Sequence, residues 1–192
     1  LMKDNSLPPV FKYSNINLAV AMGATLMTRR NRAENVSEDE LKKLVFEPFA
    51  NPFRVYELYK DVQAFNNVLE LGVNCYTFNS SSYWHTSDVD TIPIKLQTSL
   101  KIQTAILTDQ LQWEEWEFVP GAMIPTKESV DQIIPGYYDL YNPATRENMY
   151  GYLTVLKDRF EQRKEYLKAS DVSQKKELLE RLLNALELNL QI

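Results

Sequence analysis

Two consecutive prolines, Pro8 and Pro9, stand inside the segment Leu7-Pro8-Pro9-Val10-Phe11-Lys12 and set the path of the chain around them. Each fixes φ, removes a backbone donor and pushes the preceding residue into extended conformation. The turn-rich stretch Lys3-Asp4-Asn5-Ser6 must therefore lead into an extended segment, not a helix. A lone cation, Lys12, follows the locked turn. Fixing the backbone before a ligand arrives reduces the entropy lost on binding, so a lysine there could lie against a transferring phosphoryl group and offset its charge. The plainer reading is an exposed lysine. The segment reads as though a strand leading into it lay before Leu1. None of the five glycines (Gly23, Gly72, Gly121, Gly136, Gly151) stands in a phosphate-cradling pattern. The expectation is either a piece of a larger enzyme or no enzyme.

Composition narrows the classes. The chain has 192 residues, 44% of them hydrophobic, enough for one sizeable domain or a domain with a helical tail. A net charge of −5 argues against nucleic acid as a partner. No run of about twenty apolar residues offers a membrane span, and no signal peptide is visible. The single cysteine, Cys75, excludes an internal disulfide and fits a reducing, cytoplasmic setting. The single histidine, His85, excludes a multi-histidine metal site within these residues.

The periodicity predicts a helix over residues 15–28, capped by Ser14 or Asn15, with Arg29, Arg30 and Arg32 at its end complementing the dipole or meeting an anion. Ser37-Glu38-Asp39-Glu40 has the capping-box pattern and predicts a short helix through about Val45. Residues 46–55 read as a loop pinned by phenylalanines. A helix over 56–71 stops at Gly72, and a strand follows over 73–78. That order suggests the return half of an α/β unit, with the polar loop 79–90 on the edge where open α/β sheets bind ligands. A short extended piece at Ile92-Pro93-Ile94 leads to a helix over 96–109. Residues 111–143 read as irregular, anchored by Trp113, Trp116 and Phe118. Two helices close the chain, over 146–168 and 174–190, the second striped by Leu178, Leu179, Leu182, Leu183 and Leu186.

Other candidate groups read more plainly. His85 is a loop residue and Cys75 a small strand hydrophobe. Asp88 and Asp90 form a D-x-D pair that could hold Mg²⁺, a weak pattern. Glu114, Glu115 and Glu117 read as a solvated face. Arg159, Arg163 and Lys164, interleaved with Glu161 and Glu165, read as surface ion pairs.

In order, these segments resemble the C-terminal part of ATP-dependent phosphoenolpyruvate carboxykinase. Leu7-Pro8-Pro9-Val10 matches that family's proline turn, with Lys12 at the position of an arginine that contacts the transferred phosphoryl group. The helix and strand over 56–78 lead to Asn79-Ser80-Ser81, where the family has an asparagine-threonine-glycine loop. Ile92-Pro93-Ile94-Lys95 matches a segment that lines the adenine pocket, with Gln97 or Thr98 near the family's adenine-side threonine. Ile134-Pro135-Gly136 and Tyr141-Asn142-Pro143 echo a later stretch of the family.

The resemblance implies a helix-rich α/β fold. Residues 1–145 would be the C-terminal portion of a carboxykinase-like mononucleotide-binding domain, and 146–192 a two-helix extension packed on it. The implied reaction converts oxaloacetate and a nucleoside triphosphate to phosphoenolpyruvate, CO2 and the diphosphate. Lys12 would be the catalytic contact, and Ile92, Lys95, Gln97 and Thr98 would meet the nucleotide. ATP or GTP with Mg²⁺ or Mn²⁺ would bind the full-length parent, whose phosphate loop and metal ligands lie upstream. These residues alone would hold neither tightly and would be inactive. Lysine for arginine loses the bidentate fork, serine replaces the loop glycine, and Thr91 replaces an adenine-stacking arginine. Those departures imply a divergent protein, with altered nucleotide preference or without activity. The alternatives are a carboxykinase-like binding or structural domain without chemistry, and a helical interaction module.

Overall fold

The computed structural model describes residues 2–29, 37, 43–87, 90–145 and 148–190, which form a mixed α/β arrangement. At its centre is a four-stranded sheet of order β4-β1-β8-β7, built from β1 (Val10–Tyr13), β4 (Tyr76–Phe78), β7 (Trp113–Glu115) and β8 (Ala122–Pro125). Two small two-stranded sheets accompany it: β2 (Met27–Arg29) with β3 (Leu44–Phe46), and β5 (Ser82–Trp84) with β6 (Thr91–Pro93). Every named strand pair is antiparallel. The parallel unit suggested by helix, glycine and strand is therefore corrected. β4 returns beside β1 in antiparallel register, placing Val10 opposite Phe78 and Lys12 opposite Tyr76.

Helix α1 (Ile16–Ala24) packs against α2 (Leu58–Leu69) and α7 (Lys176–Ala185). Its residues Leu18 to Met22 and Ala24 are all buried, as expected of a helix that is apolar on every side. Asn15 caps it, its side chain accepting from the Asn17 and Leu18 amides. The helix ends at Ala24, not near residue 28. The Thr25 hydroxyl donates to the Ala21 carbonyl at 2.6 Å, and the chain turns into β2. Leu44 to Phe46 form β3 and not the end of a capped helix, because Val45 and Phe46 find strand partners and Phe46 stacks on Tyr166 at 4.3 Å. Arg30, Arg32, Glu38, Asp39, Glu40, Asp88 and Arg146 lie outside the described residues.

Two stretches read as loop contain strands and helices. Within 79–90, β5 forms a hairpin with β6 and buries Tyr83 and Trp84. Within 111–143, β7 and β8 pair, and α4 (Lys127–Ile133) and α5 (Tyr137–Tyr141) follow. Strands this short, interrupted by proline, give little periodic signal of their own. Trp116 is buried as expected, while Trp113 and Phe118 pack on the core from partly exposed positions.

The helix α3 (Leu96–Leu107) ends where Asp109 takes a left-handed φ of 53°. The longest helix, α6 (Met149–Ala169), buries Tyr152, Leu153, Leu156, Phe160, Arg163, Lys164 and Leu167 along one side. The surface reading of its basic row is corrected there. Arg163 is fully buried, and Lys164 is 8% exposed between Glu161 and Glu187, each at 2.9 Å. In α7 the leucine stripe turns inward, with Leu182 and Leu186 fully buried and Leu178, Leu179 and Leu183 packed against the same core. One apolar cluster runs from Met2 to Leu186, joining α6 and α7 to the sheet.

Candidate functional site

The proline segment is buried almost from end to end. Asp4, Asn5, Ser6, Leu7 and Val10 are each at most 1% exposed, so this polar stretch belongs to the interior. Such burial needs every polar group answered. The Asp4 carboxylate accepts from the Ser6 amide at 3.0 Å and the Ser6 hydroxyl at 2.8 Å, forming a tight turn. Arg163 donates to the other carboxylate oxygen at 2.6 Å, and also to the Thr25 carbonyl. Burial pushes the Arg163 guanidinium pKa down, and Asp4 opposes that shift. The Asn79 side-chain amide donates to the Asp4, Leu7 and Ser82 carbonyls at 2.7–2.8 Å, and its backbone N–H donates to the Pro9 carbonyl at 3.0 Å. The Tyr152 hydroxyl donates to the Ser6 carbonyl at 2.7 Å. Sequence reasoning singled out the prolines and Lys12, read Arg163 as a surface ion-pair residue, and gave no site role to Asp4, Thr25 or Tyr152. Their partners lie up to 159 residues away, and no local pattern marks them.

This turn delivers Lys12 to the second strand of the sheet. Lys12 faces Tyr76 on one side and Met123 on the other, and Met123 faces Glu115 on β7. The four share one face of the sheet, while Phe11 and Tyr13 enter the core on the other. Lys12 is half-buried and makes no ion pair or hydrogen bond with its side chain among the described residues. Glu115 stands two strands away, about 10 Å by strand spacing, a separation at which solvent largely screens the attraction. A cation without a counter-ion on a hydrogen-bonded strand can meet an anion with little rearrangement.

Ile92, Lys95, Gln97 and Thr98 lie together at a different junction, where the β5–β6 hairpin feeds α3. Ile92 is opposite Tyr83 and half-buried; Lys95 and Gln97 are exposed. Thr98 is 9% exposed. The Tyr141 hydroxyl lies 3.2 Å from the Pro93 carbonyl, to which it donates. Burial raises the Tyr141 pKa, keeping it a donor. Tyr141 therefore pins this junction to α5, a role the sequence pattern did not assign. Ile92, Lys95 and Gln97 are open to a ligand, whereas Thr98 is buried. The Lys12 sheet and this hairpin are distinct sheets, joined through Asn79 between β4 and β5.

The remaining candidates have local roles. His85 is exposed, 3.1 Å from Asp90, and Asp90 also accepts from the Thr86 hydroxyl. Those contacts lower the Asp90 pKa, the Thr86 bond first. Cys75 is half-buried just before β4, and burial pushes its thiol pKa up, away from a nucleophilic thiolate. Glu114 accepts from the Tyr138 hydroxyl at 2.8 Å, whereas Glu115 and Glu117 are exposed. No group of three or more His, Cys, Asp or Glu side chains converges among the described residues. No helix among them is long and apolar enough to cross a membrane. No protein family matches this chain, and no curated protein matches it significantly.

Proposed function

We propose that these residues form one wall of a carboxykinase-type site, in which Lys12 meets the transferring phosphoryl group and Ile92, Lys95 and Gln97 meet the base of a nucleoside triphosphate. The observation that carries this reading is Lys12 itself, a half-buried cation on β1 without a counter-ion among the described residues, held in register by β4 and β8. A fixed positive charge stabilises charge that develops on transfer better than a mobile one, because no reorganisation is needed at that moment. As a lysine it acts as a point charge and lacks the fork of an arginine. The half-buried Ile92 offers an apolar plane, and the Gln97 amide can both donate and accept at a base edge. Divalent metal does not fit the described residues, which gather no ligand set. The phosphate-binding half and the metal ligands belong outside them, so turnover by these residues alone is not expected.

Amide-resolved NMR titration tests this. Millimolar ATP is expected to shift the amide signals of Lys12, Ile92, Lys95 and Gln97, and Lys12→Ala to weaken ATP several-fold while leaving adenosine unchanged. Shifts confined to other surfaces, or none, overturn the reading.

A second reading, an interaction domain without chemistry, is favoured by α3. Leu96, Leu100 and Leu107 fall on one helical face and are 72%, 50% and 86% exposed. The leucine stripe of α7 is engaged within the chain and offers no such face.

A further inference from the structure

A cavity of about 320 Å³ opens beside β4, between α1, α2 and the turn Pro48–Ala50. Its lining includes Tyr13, Phe49, Phe65, Cys75, Tyr76 and Thr77, and of these the Tyr76 ring turns to the other face of the sheet, against Trp113. No charged side chain among the described residues lines the cavity. The volume lies at the lower end of ligand pockets, about 300–1,000 Å³, and exceeds the roughly 150 Å³ that accepts benzene.

Two features separate this cavity from a packing gap. Phe49 and Ala50 both hold left-handed backbone, at φ 53° and 56°, without being glycine. Such conformations persist where the surroundings over-determine them, and ligand clamps are among those places. Gly23 lets the Phe49 ring close onto α1, since a Cβ there would lie 2.8 Å from Phe49 Cε1. Phe49 then meets Phe65 with ring centroids 5.1 Å apart.

The second feature is at the cavity wall. The Tyr13 and Thr77 hydroxyls are 2.6 Å apart, in residues 9% and 6% exposed. Two hydroxyls own two protons, and their mutual bond uses one. The other proton has no acceptor among the described residues. A buried donor without a partner is costly, and a ligand acceptor at this point removes the cost.

We propose that the cavity binds a small neutral aromatic molecule carrying one hydrogen-bond acceptor, its ring beside Phe49 and Phe65 and its acceptor on the Tyr13–Thr77 hydroxyl pair. The uncharged lining rejects ions, which would lose hydration without compensation. The Cys75 thiol serves as a polarisable contact. This site does not depend on the phosphoryl-transfer reading.

The test compares two probes of similar shape, acetophenone with a carbonyl acceptor and ethylbenzene without one, by calorimetry on the full chain. Acetophenone is expected to bind roughly five-fold tighter, the worth of one neutral hydrogen bond. In the Tyr13→Phe/Thr77→Val double variant the preference should vanish while ethylbenzene binds as before. Cys75→Phe, which fills the cavity, should abolish both; Phe65→Trp fills it from α2 and replaces Cys75→Phe should that variant not fold. Absence of binding by either probe, equal affinities in the parent chain, or binding that survives the filled cavity overturns the proposal.

Discussion

Asp4 and Arg163 meet with both side chains fully excluded from water. Each alone would carry a desolvation cost of several kcal/mol, and their attraction offsets it together with the bonds from Ser6 to Asp4 and from Arg163 to Thr25. Removing one partner strands the other. Asp4→Ala should therefore cost about 3–5 kcal/mol in urea unfolding, while Asp4→Leu combined with Arg163→Met should recover most of the loss. Glycine supplies a second contrast at this scale. Gly72 has φ 82° with nothing near its absent side chain, so Gly72→Ala meets backbone strain alone, about 1–2 kcal/mol. Gly121 has φ 86° and lies so close to α1 that a Cβ would sit 2.5 Å from that of Asn15. Gly121→Ala should cost about twice as much or more, read from the same unfolding curves. Both glycines are plain in the sequence. What separates them is a neighbour more than a hundred residues away, which no local pattern announces.

The helices show which boundaries a sequence can set. A cap at Ser14 or Asn15 was legible because a capping side chain finds its partners two and three residues on, as Asn15 does. The start of α2 was not, because its cap comes from elsewhere. Glu57 offers no side-chain bond, and Asp171 instead accepts from the Leu58 and Tyr59 amides at 2.9 and 3.0 Å. A carboxylate at a helix N-terminus also complements the dipole. Asp171→Ala should lower stability by about 2 kcal/mol and speed amide exchange at Leu58 and Tyr59 first, with Asp171→Asn milder. Strands fared worse than helices. β5, β6 and β7 have three residues each, too few to show alternation, and they exist because a partner completes their hydrogen bonds. The candidate site divides the same way. Lys12 drew notice by its place after two prolines, and Ile92, Lys95, Gln97 and Thr98 through the family resemblance alone. The anchors Asn79, Tyr141 and Tyr152 act through contacts across the fold.

The whole molecule shares one apolar core, to which Leu167, Leu182 and Leu186 contribute as fully as Leu7 and Val10. Urea should therefore unfold residues 1–145 and 146–192 in one transition, with tryptophan fluorescence and circular dichroism coinciding. Two separated transitions would mark the C-terminal helices as independent. Alkali probes the same core. Burial holds the Tyr13 and Tyr137 hydroxyls well above the ordinary tyrosine pKa, and burial with Glu114 beside it takes Tyr138 to about 12. A raised folded-state pKa means the native chain keeps protons that the unfolded chain releases. The stabilisation is complete below pH about 10 and falls as pH climbs toward 12, by about 1.4 kcal/mol per pH unit for each such tyrosine. Unfolding midpoints should thus be flat from neutrality to about pH 9.5 and drop beyond, with tyrosinate absorbance rising at the transition. The sequence by itself determined the extended path through Pro8 and Pro9, the cap of α1 and the bodies of the long helices, since their signals lie within about four residues of their effects. Only the tertiary structure decided the antiparallel sheets, the burial of Asp4 against Arg163 and the exposure left on α3. Each of those follows from which distant segment comes alongside, and burial alone turns an ordinary polar side chain into one that must find its partner.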